Sequence, residues 1–284
     1  MRTATALDAP ALLRHLLDDA AIFPPGNAPV AEALDRHAAH SASAHAGLVG
    51  AFVCSDARWA ELARHLPADG RLAVALVVTG GPAAVGPAVE AALRDPRTRL
   101  AAVEVALPAG APVAAAVAAL EGALPAAVDG YVEVPLDRSA APLELAGTPY
   151  AAKIRSGGTT AGAFPDEATL ARGLHACLAA GVPCKLTAGL HGAVRHRDPA
   201  TGFEHHGFLN VLLAVAAGLD GGDAGDLAGV LAVQDARRLA ADAARLGREQ
   251  ADAVRRRFRS FGTCSIDEPV RDLRSLGLLP QEAA

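Results

Sequence analysis

Short β-type runs alternate with Ala/Leu-rich helical stretches along all 284 residues, and eight such runs can be counted. Over most of the chain they recur about every 25 residues, the spacing of parallel βα units. No Gly-x-Gly-x-x-Gly follows the first run, which argues against a doubly wound sheet built around a dinucleotide. The expected fold is therefore α/β: a (β/α)8 TIM barrel with an N-terminal helix and an enlarged insertion between strands 7 and 8.

An opening helix is expected over residues 10–19. Strands follow at 20–23, 47–54, 72–79, 100–107, 130–135, 150–154, 182–187 and 260–265. Several are near-continuous apolar runs, as parallel strands covered by helices on the outside must be. Helices fill the gaps at 30–40, 57–65, 83–94, 111–123 and 166–180, and a long arginine-studded helix is expected over 226–256. Gly80-Gly81 and the glycine-rich stretch 218–225 read as turns. The regularity breaks once. Between strands 7 and 8 lie about seventy residues, far beyond an ordinary βα connection. They hold a loop (189–206), a helix (207–219), the glycine-rich link and the long helix. Insertions at the C-terminal ends of barrel strands build active sites. Residues 1–284 thus read as a single barrel domain with 189–226 as its lid or insertion. That insertion carries four of the ten histidines, His191, His196, His205 and His206, and Asn210, one of two asparagines.

Composition narrows the function. Apolar residues make up 51% of the chain, and the formal net charge is −5 with a pI near 6.0. Without a basic field, nucleic acid is not an expected partner. No hydrophobic signal region and no membrane-length apolar run occurs, so neither export nor membrane insertion is expected. The four cysteines lack CxxC spacing, which fits a reducing cytoplasm. A small anionic molecule is the expected partner, and homo-oligomerisation is compatible with the sequence.

Only two lysines, Lys153 and Lys185, stand against twenty-four arginines. The Ala/Gly/Pro/Arg-heavy usage is that of a GC-rich, bacterial-type genome, which writes arginine wherever position is neutral. A lysine that survives this bias is expected to do what a guanidinium cannot, namely lose its proton and act as an amine nucleophile or base. Both end a short apolar run and precede a small-residue turn, in Tyr150-Ala-Ala-Lys153-Ile-Arg155-Ser-Gly-Gly158 and Val182-Pro-Cys-Lys185-Leu-Thr-Ala-Gly189.

Two other strands repeat one pattern, Val103-Glu104-Val105 and Val132-Glu133-Val134. A carboxylate flanked by valines cannot face the apolar helical layer, so it should point into the barrel and need a cationic partner there. Glu104 and Glu133 are expected to position a catalytic lysine or to move a proton. After Lys153, Arg155 and the turn Ser156-Gly157-Gly158-Thr159 offer a guanidinium, hydroxyls and backbone N–H groups to an anion.

Among the histidines, His191 and His206 are candidate ligand contacts, with Asn210 beside them. An alternative is a divalent metal held by His191, Glu204 and His206 with an open position. His15, His37, His40, His45 and His65 fall on helices or their ends and read as solvated. At the last strand Ser265 and Glu268 are expected at the rim, and Asp267 as a cap for the following helix. Cys264 has no histidine beside it in sequence. Asn27, in the stiff loop Phe23-Pro-Pro-Gly-Asn27, is a further rim candidate.

Lys153-Ile-Arg-Ser-Gly-Gly and Lys185-Leu-Thr-Ala-Gly-Leu resemble the sixth- and seventh-strand motifs of deoxyribose-phosphate aldolase and related class I aldolases. The resemblance is confined to these motifs, with Glu104 a loose counterpart of the family's fourth-strand acid. It implies that Lys153 forms a Schiff base with a substrate carbonyl and that Lys185 tunes it. The expected activity is a small-molecule carbon–carbon lyase of aldolase type, acting on an anionic oxo-compound through Lys153, Lys185, Glu133 and Glu104, without a cofactor. The alternatives are a metal-dependent hydrolase or lyase using the histidine cluster, and a non-catalytic metabolite-binding barrel.

Overall fold

A computed structural model describes residues 10–138 and 141–281, and within it eight parallel strands close into a barrel. In chain order the strands are β1 (Leu17–Asp19), β2 (Val49–Ser55), β3 (Leu72–Val78), β4 (Thr98–Val105), β5 (Asp129–Glu133), β6 (Ala151–Arg155), β7 (Cys184–Thr187), the short pair β8 (His196–Arg197) and β9 (Glu204–His205), and β10 (Phe258–Thr263). The barrel order is β1-β10-β7-β6-β5-β4-β3-β2, so β10 closes the ring, while β8 and β9 form a separate antiparallel hairpin.

The helices are α1 (Val30–Ser41), α2 (Trp59–His65), α3 (Val85–Arg94), α4 (Val113–Ala123), α5 (Glu167–Ala179), α6 (Phe208–Leu219), α7 (Ala224–Leu231), α8 (Ala236–Arg245), α9 (Arg248–Arg257) and α10 (Asp267–Ser275). Each outer helix buries one stripe. In α3 it is Val85, Val89 and Ala92, spaced four and three apart as a helix facing a sheet requires. Alternation along the strands sorts the rest. Val103, Val105, Val132, Ile154 and Leu186 pack outward on the helical layer. Val53, Ala75, Val77, Ala102, Tyr131 and Ala151 pack inside the barrel. The inward set is mostly small, which leaves the interior room for long charged side chains.

Two expectations are corrected. The first strand lies at 17–19, where a helix was expected, and among the described residues only a short 3-10 turn, Ala11–Leu13, precedes it. His15 at φ 48° breaks the helical path, and Leu17–Asp19 pair with both β2 and β10. Residues 20–23, expected as the strand, instead lead off it into the loop to α1. The long helix over 226–256 is three. Asp223 caps α7 in a reciprocal box with Asp226, Asp235 caps α8 through Arg238 N–H, and Gly247 opens α9.

The insertion divides into unlike parts. Helix α6 is buried from Phe208 through Val215, and Phe208 stacks on Phe261 of β10 at 5.3 Å, so this helix belongs to the barrel's core. The hairpin's ladder is just two residue pairs long, His196↔His205 and Arg197↔Glu204, closed by a turn in which Asp198 N–H donates to Phe203 O at 2.9 Å. Amides of residues 196–205 are therefore expected to exchange with solvent at least about 100-fold faster than those of α6. Equal protection, read by hydrogen–deuterium exchange, would place the hairpin in the cooperative core.

Candidate active site

The strand register brings the charged residues together. Glu133, Lys153 and Lys185 are lateral neighbours on β5, β6 and β7. All three occupy inward positions, as does Glu104 on β4, two residues along its strand from Ala102. A continuous row of ion pairs results. Lys153 Nζ lies 2.8 Å from Glu104 Oε2 and 3.3 Å from Glu133 Oε2. Lys185 Nζ lies 2.5 Å from Glu104 Oε1 and donates at 2.6 Å to Asp18 Oδ2 on β1. Arg155 reaches Glu133 Oε1 at 3.2 Å and ends the row at the mouth. From Arg155 to Asp18 the charges alternate in sign. The two amines grip opposite oxygens of one carboxylate, well inside the about 10 Å over which salt screens exposed charges.

Burial governs how these groups ionise. Lys153 is 3% exposed, Lys185 2% and Glu104 2%. Burial alone would favour a neutral Glu104, but the two ammonium groups on its oxygens outweigh it and hold the carboxyl at about 2. Burial likewise opposes a charge on Lys185. There Asp18, Glu104 and the Tyr131 ring, 5.2 Å from the amine, prevail and raise Lys185 above the ordinary lysine range. Ser260 donates to Asp18 Oδ2 at 2.6 Å, and Ala51 N–H donates to Oδ1 at 3.0 Å, so that carboxylate is fixed on both oxygens.

Above the row, a cavity of about 450 Å³ opens at the C-terminal ends of the strands, with Glu104, Lys153 and Lys185 in its floor. Its volume suits a small molecule. Arg155, Gly157, Gly158, Thr159 and Thr160 form one wall, and Phe23, Pro24 and Pro25 another. Gly157 is required there: a side chain would stand 2.7 Å from the Gly189 Cα and 2.7 Å from the Phe164 ring, where the β6 and β7 loops touch. Ser156 Oγ fastens the same loops by donating to Ala188 O at 2.6 Å.

Through Gly158, Thr159, Gly189, His191 and Cys264 this cavity continues into a second of about 780 Å³ beneath the insertion, walled by Phe164, Phe203, His196 and His205. His191 stands at the junction. Its Nδ1 is 3.0 Å from Glu268 Oε2, and its ring nitrogens lie 3.8 and 3.9 Å from Cys264 Sγ. Burial works against an imidazolium, but the sulfur and the Glu268 carboxylate raise His191 to about 9. Glu268 is correspondingly lowered, chiefly by its bond to His191.

Several expected site residues lie elsewhere. Ser156 is fully buried and spent on the loop bridge. Asn210 is fully buried: its Oδ1 accepts from Arg195 N–H at 2.9 Å, and its Nδ2 donates to Val230 O and Val233 O, tying the hairpin's base to α6 and α7. His206 is also fully buried, with Nε2 on Pro165 O at 2.8 Å. Glu204 pairs with Arg195 on the hairpin. His191, Glu204 and His206 thus face three different partners, and among the described residues no group of three His, Cys, Asp or Glu is placed to hold a metal. Ser265 Oγ accepts from Glu268 N–H at the start of α10, and exposed Asn27 bonds Pro25 O at 3.4 Å, outside the cavity walls. Of the histidines expected in solvent, His37 and His45 are buried; His37 Nδ1 meets Asp19 Oδ2 at 3.0 Å.

Asp18 and Tyr131 belong to the site and were missed. The signal for Asp18 was an acidic pair, Asp18-Asp19, interrupting an apolar run. On a strand, one of the pair points in to Lys185 and the other out to His37. Comparison of the chain with family models, with curated proteins and with solved structures yields no match. No helix among the described residues is long and apolar enough to cross a membrane.

Glu104→Gln leaves two buried ammonium groups short of a counter-charge and is expected to cost about 3–5 kcal/mol of unfolding free energy at pH 7. Because the folded carboxyl is depressed, its contribution is complete above the unfolded value near 4.5 and fades as pH falls toward about 2. Denaturant titrations of parent and variant should therefore converge in acid; a constant gap down to pH 2 would contradict the pairing. For His191 the sign reverses. Its charged form is favoured on folding, so that contribution is whole below pH 6.5 and lost as pH rises through about 9. An NMR titration of His191 should show Glu268→Gln moving its midpoint back toward 6.5.

Proposed function

We propose that this barrel is a carbon–carbon lyase of the class I aldolase kind, in which Lys153 forms an imine with the carbonyl of a small anionic oxo-compound. One observation carries this reading: one lysine amine, in the floor of the cavity at the barrel's mouth, between two carboxylates and beside a second, clamped lysine. The division of labour follows from the contacts. Lys185 is seized by Asp18 and Glu104 at 2.6 and 2.5 Å and kept cationic, which suits a fixed charge. Lys153 sits nearer the mouth, and its carboxylate contacts, at 2.8 and 3.3 Å, are longer.

In the proposed cycle Lys153 Nζ, having passed a proton to Glu133, attacks the substrate carbonyl carbon. A C–N bond forms, and the carbonyl oxygen leaves as water after accepting two protons. The protonated imine draws the electron pair of the neighbouring C–C bond toward nitrogen. As that bond breaks, Glu133, again ionised, takes the proton of the hydroxyl on the departing carbon, so the fragment leaves as a carbonyl compound and an enamine remains. Protonation of the enamine carbon and hydrolysis of the imine then return the free amine. Arg155 and the backbone N–H groups of the 157–160 turn would take the substrate's anionic group.

Borohydride reduction in the presence of a panel of small aldehydes and 2-oxo acids is expected to add the mass of one reduced adduct, mapped to Lys153. Lys153→Arg keeps the charge but cannot form an imine; it should remain folded, give no adduct and lose turnover by at least ~10³-fold. A Lys153→Arg protein with near-normal turnover, or adducts mapping only outside the cavity, would end the proposal.

A further inference from the structure

The barrel has a second opening. At the N-terminal ends of the strands, opposite the lysine mouth, a cavity of about 780 Å³ runs inward between Gly50, Ala51, Ala73 and Ala102 as far as Lys185 and Asp18. Barrel interiors are ordinarily filled by bulky side chains in layers. Here small residues leave the lower layers unfilled, and the Asp18–Lys185 pair separates the two cavities, lining the lower one while Lys185 also lines the upper.

The rim of this lower cavity carries four guanidiniums, Arg71, Arg99, Arg255 and Arg259. Arg99 and Arg259 are exposed, and among the described residues their side chains make no hydrogen bond or ion pair. Arg71 has only a long contact to Thr98 O at 3.4 Å. Arg255 is half-buried, and its donors are taken by backbone oxygens, including Arg14 O at 2.9 Å and Phe258 O at 3.0 Å, not by a carboxylate. Burial pushes Arg255 down to about 10, against the opposing attraction of Asp18. Against these four stand Asp69 and Asp129 at the rim, because Asp18 is committed to Lys185 and Ser260. His15 and His37 also line the wall, each with a partner already, Val49 O and Asp19. A chain of net charge −5 thus concentrates unmatched positive charge around one concave, enterable site.

We infer that the lower cavity is a second binding site, for a compact multivalent oxyanion, independent of the imine chemistry at the other mouth. The forked guanidiniums of Arg99 on β4 and Arg259 on β10, with Arg71 just before β3, match the spread oxygens of a polyphosphate group or a di- or tricarboxylate, while Arg255 on α9 adds its charge. The Tyr131 ring and the Lys185–Asp18 pair form the inner end, so an occupant would sit against the same cation that borders Lys153 from below.

Calorimetric titration of the full chain with inorganic pyrophosphate and, separately, with citrate tests this without any turnover. One saturable event per chain is expected from at least one of the two, weakening as salt is raised. Arg99→Ala/Arg259→Ala should weaken it by at least about tenfold, the scale of losing charge-assisted contacts. Arg259→Gln alone should do so by a smaller factor, and Arg155→Ala at the opposite mouth should leave it unchanged. Binding of pyrophosphate alone marks a phosphate-ester ligand, and of citrate alone a polycarboxylate. No saturable binding of either anion, parent-like affinity in a double variant that melts like the parent, or loss of binding in Arg155→Ala would each overturn the site.

Discussion

The carboxylate of Glu104 is the constraint on which the barrel's interior depends. A closed barrel offers little water to its inner layers, and an ionised group there is tolerable only when matched. Glu104 gives one oxygen to each lysine, so neither ammonium can be removed or neutralised without leaving the others mismatched. Asp18 and Glu133 complete the balance on either side, and Arg155 carries it out to solvent. β6 contributes two charges to the row and β1, β4, β5 and β7 one each, and the pairs from Glu104 to the two lysines and from Lys185 to Asp18 cross the barrel interior between strands that are not neighbours in the sheet.

That balance works because the backbone is pinned where the strands end. Ser156 and Gly157 bring the β6 loop against the β7 loop, the latter through Ala188 and Gly189, both at positive φ. Asn210 anchors the base of the hairpin that roofs the outer cavity. These residues touch no candidate reacting atom, yet they set the distance between the anion-binding turn and the amine. A shift of an ångström there would matter as much as a change at the lysine itself.

The parts legible in the sequence were those with a single physical explanation. Continuous apolar runs at regular spacing had to be parallel strands. A glutamate between two valines had to face inward. A lysine in a chain that otherwise uses arginine had to be exceptional. The parts that were not legible had two explanations of equal standing. Asp18 fell in a stretch whose apolar spacing also fits a helix, and only pairing with β2 and β10 decides for a strand. Asn210 and His206 stood out by residue type, but a polar side chain that ties buried backbone together looks, in sequence, like one that binds a ligand. The breaks at Asp235 and Gly247 were written in capping residues within a pattern whose apolar period continues across them.

The placement of both lysines inside the barrel has a chemical consequence for the molecule's exterior. All positive side-chain charge on the outer surface is guanidinium or imidazole, because the chain has no lysine other than the two buried ones. Acylation, ubiquitin-type conjugation and cleavage after lysine find no side-chain target on the folded surface. Reagents that seek primary side-chain amines are left with two atoms, one lining the upper cavity and one between the two cavities, so the same selectivity that would damage an ordinary protein at dozens of points is confined here to the barrel's interior.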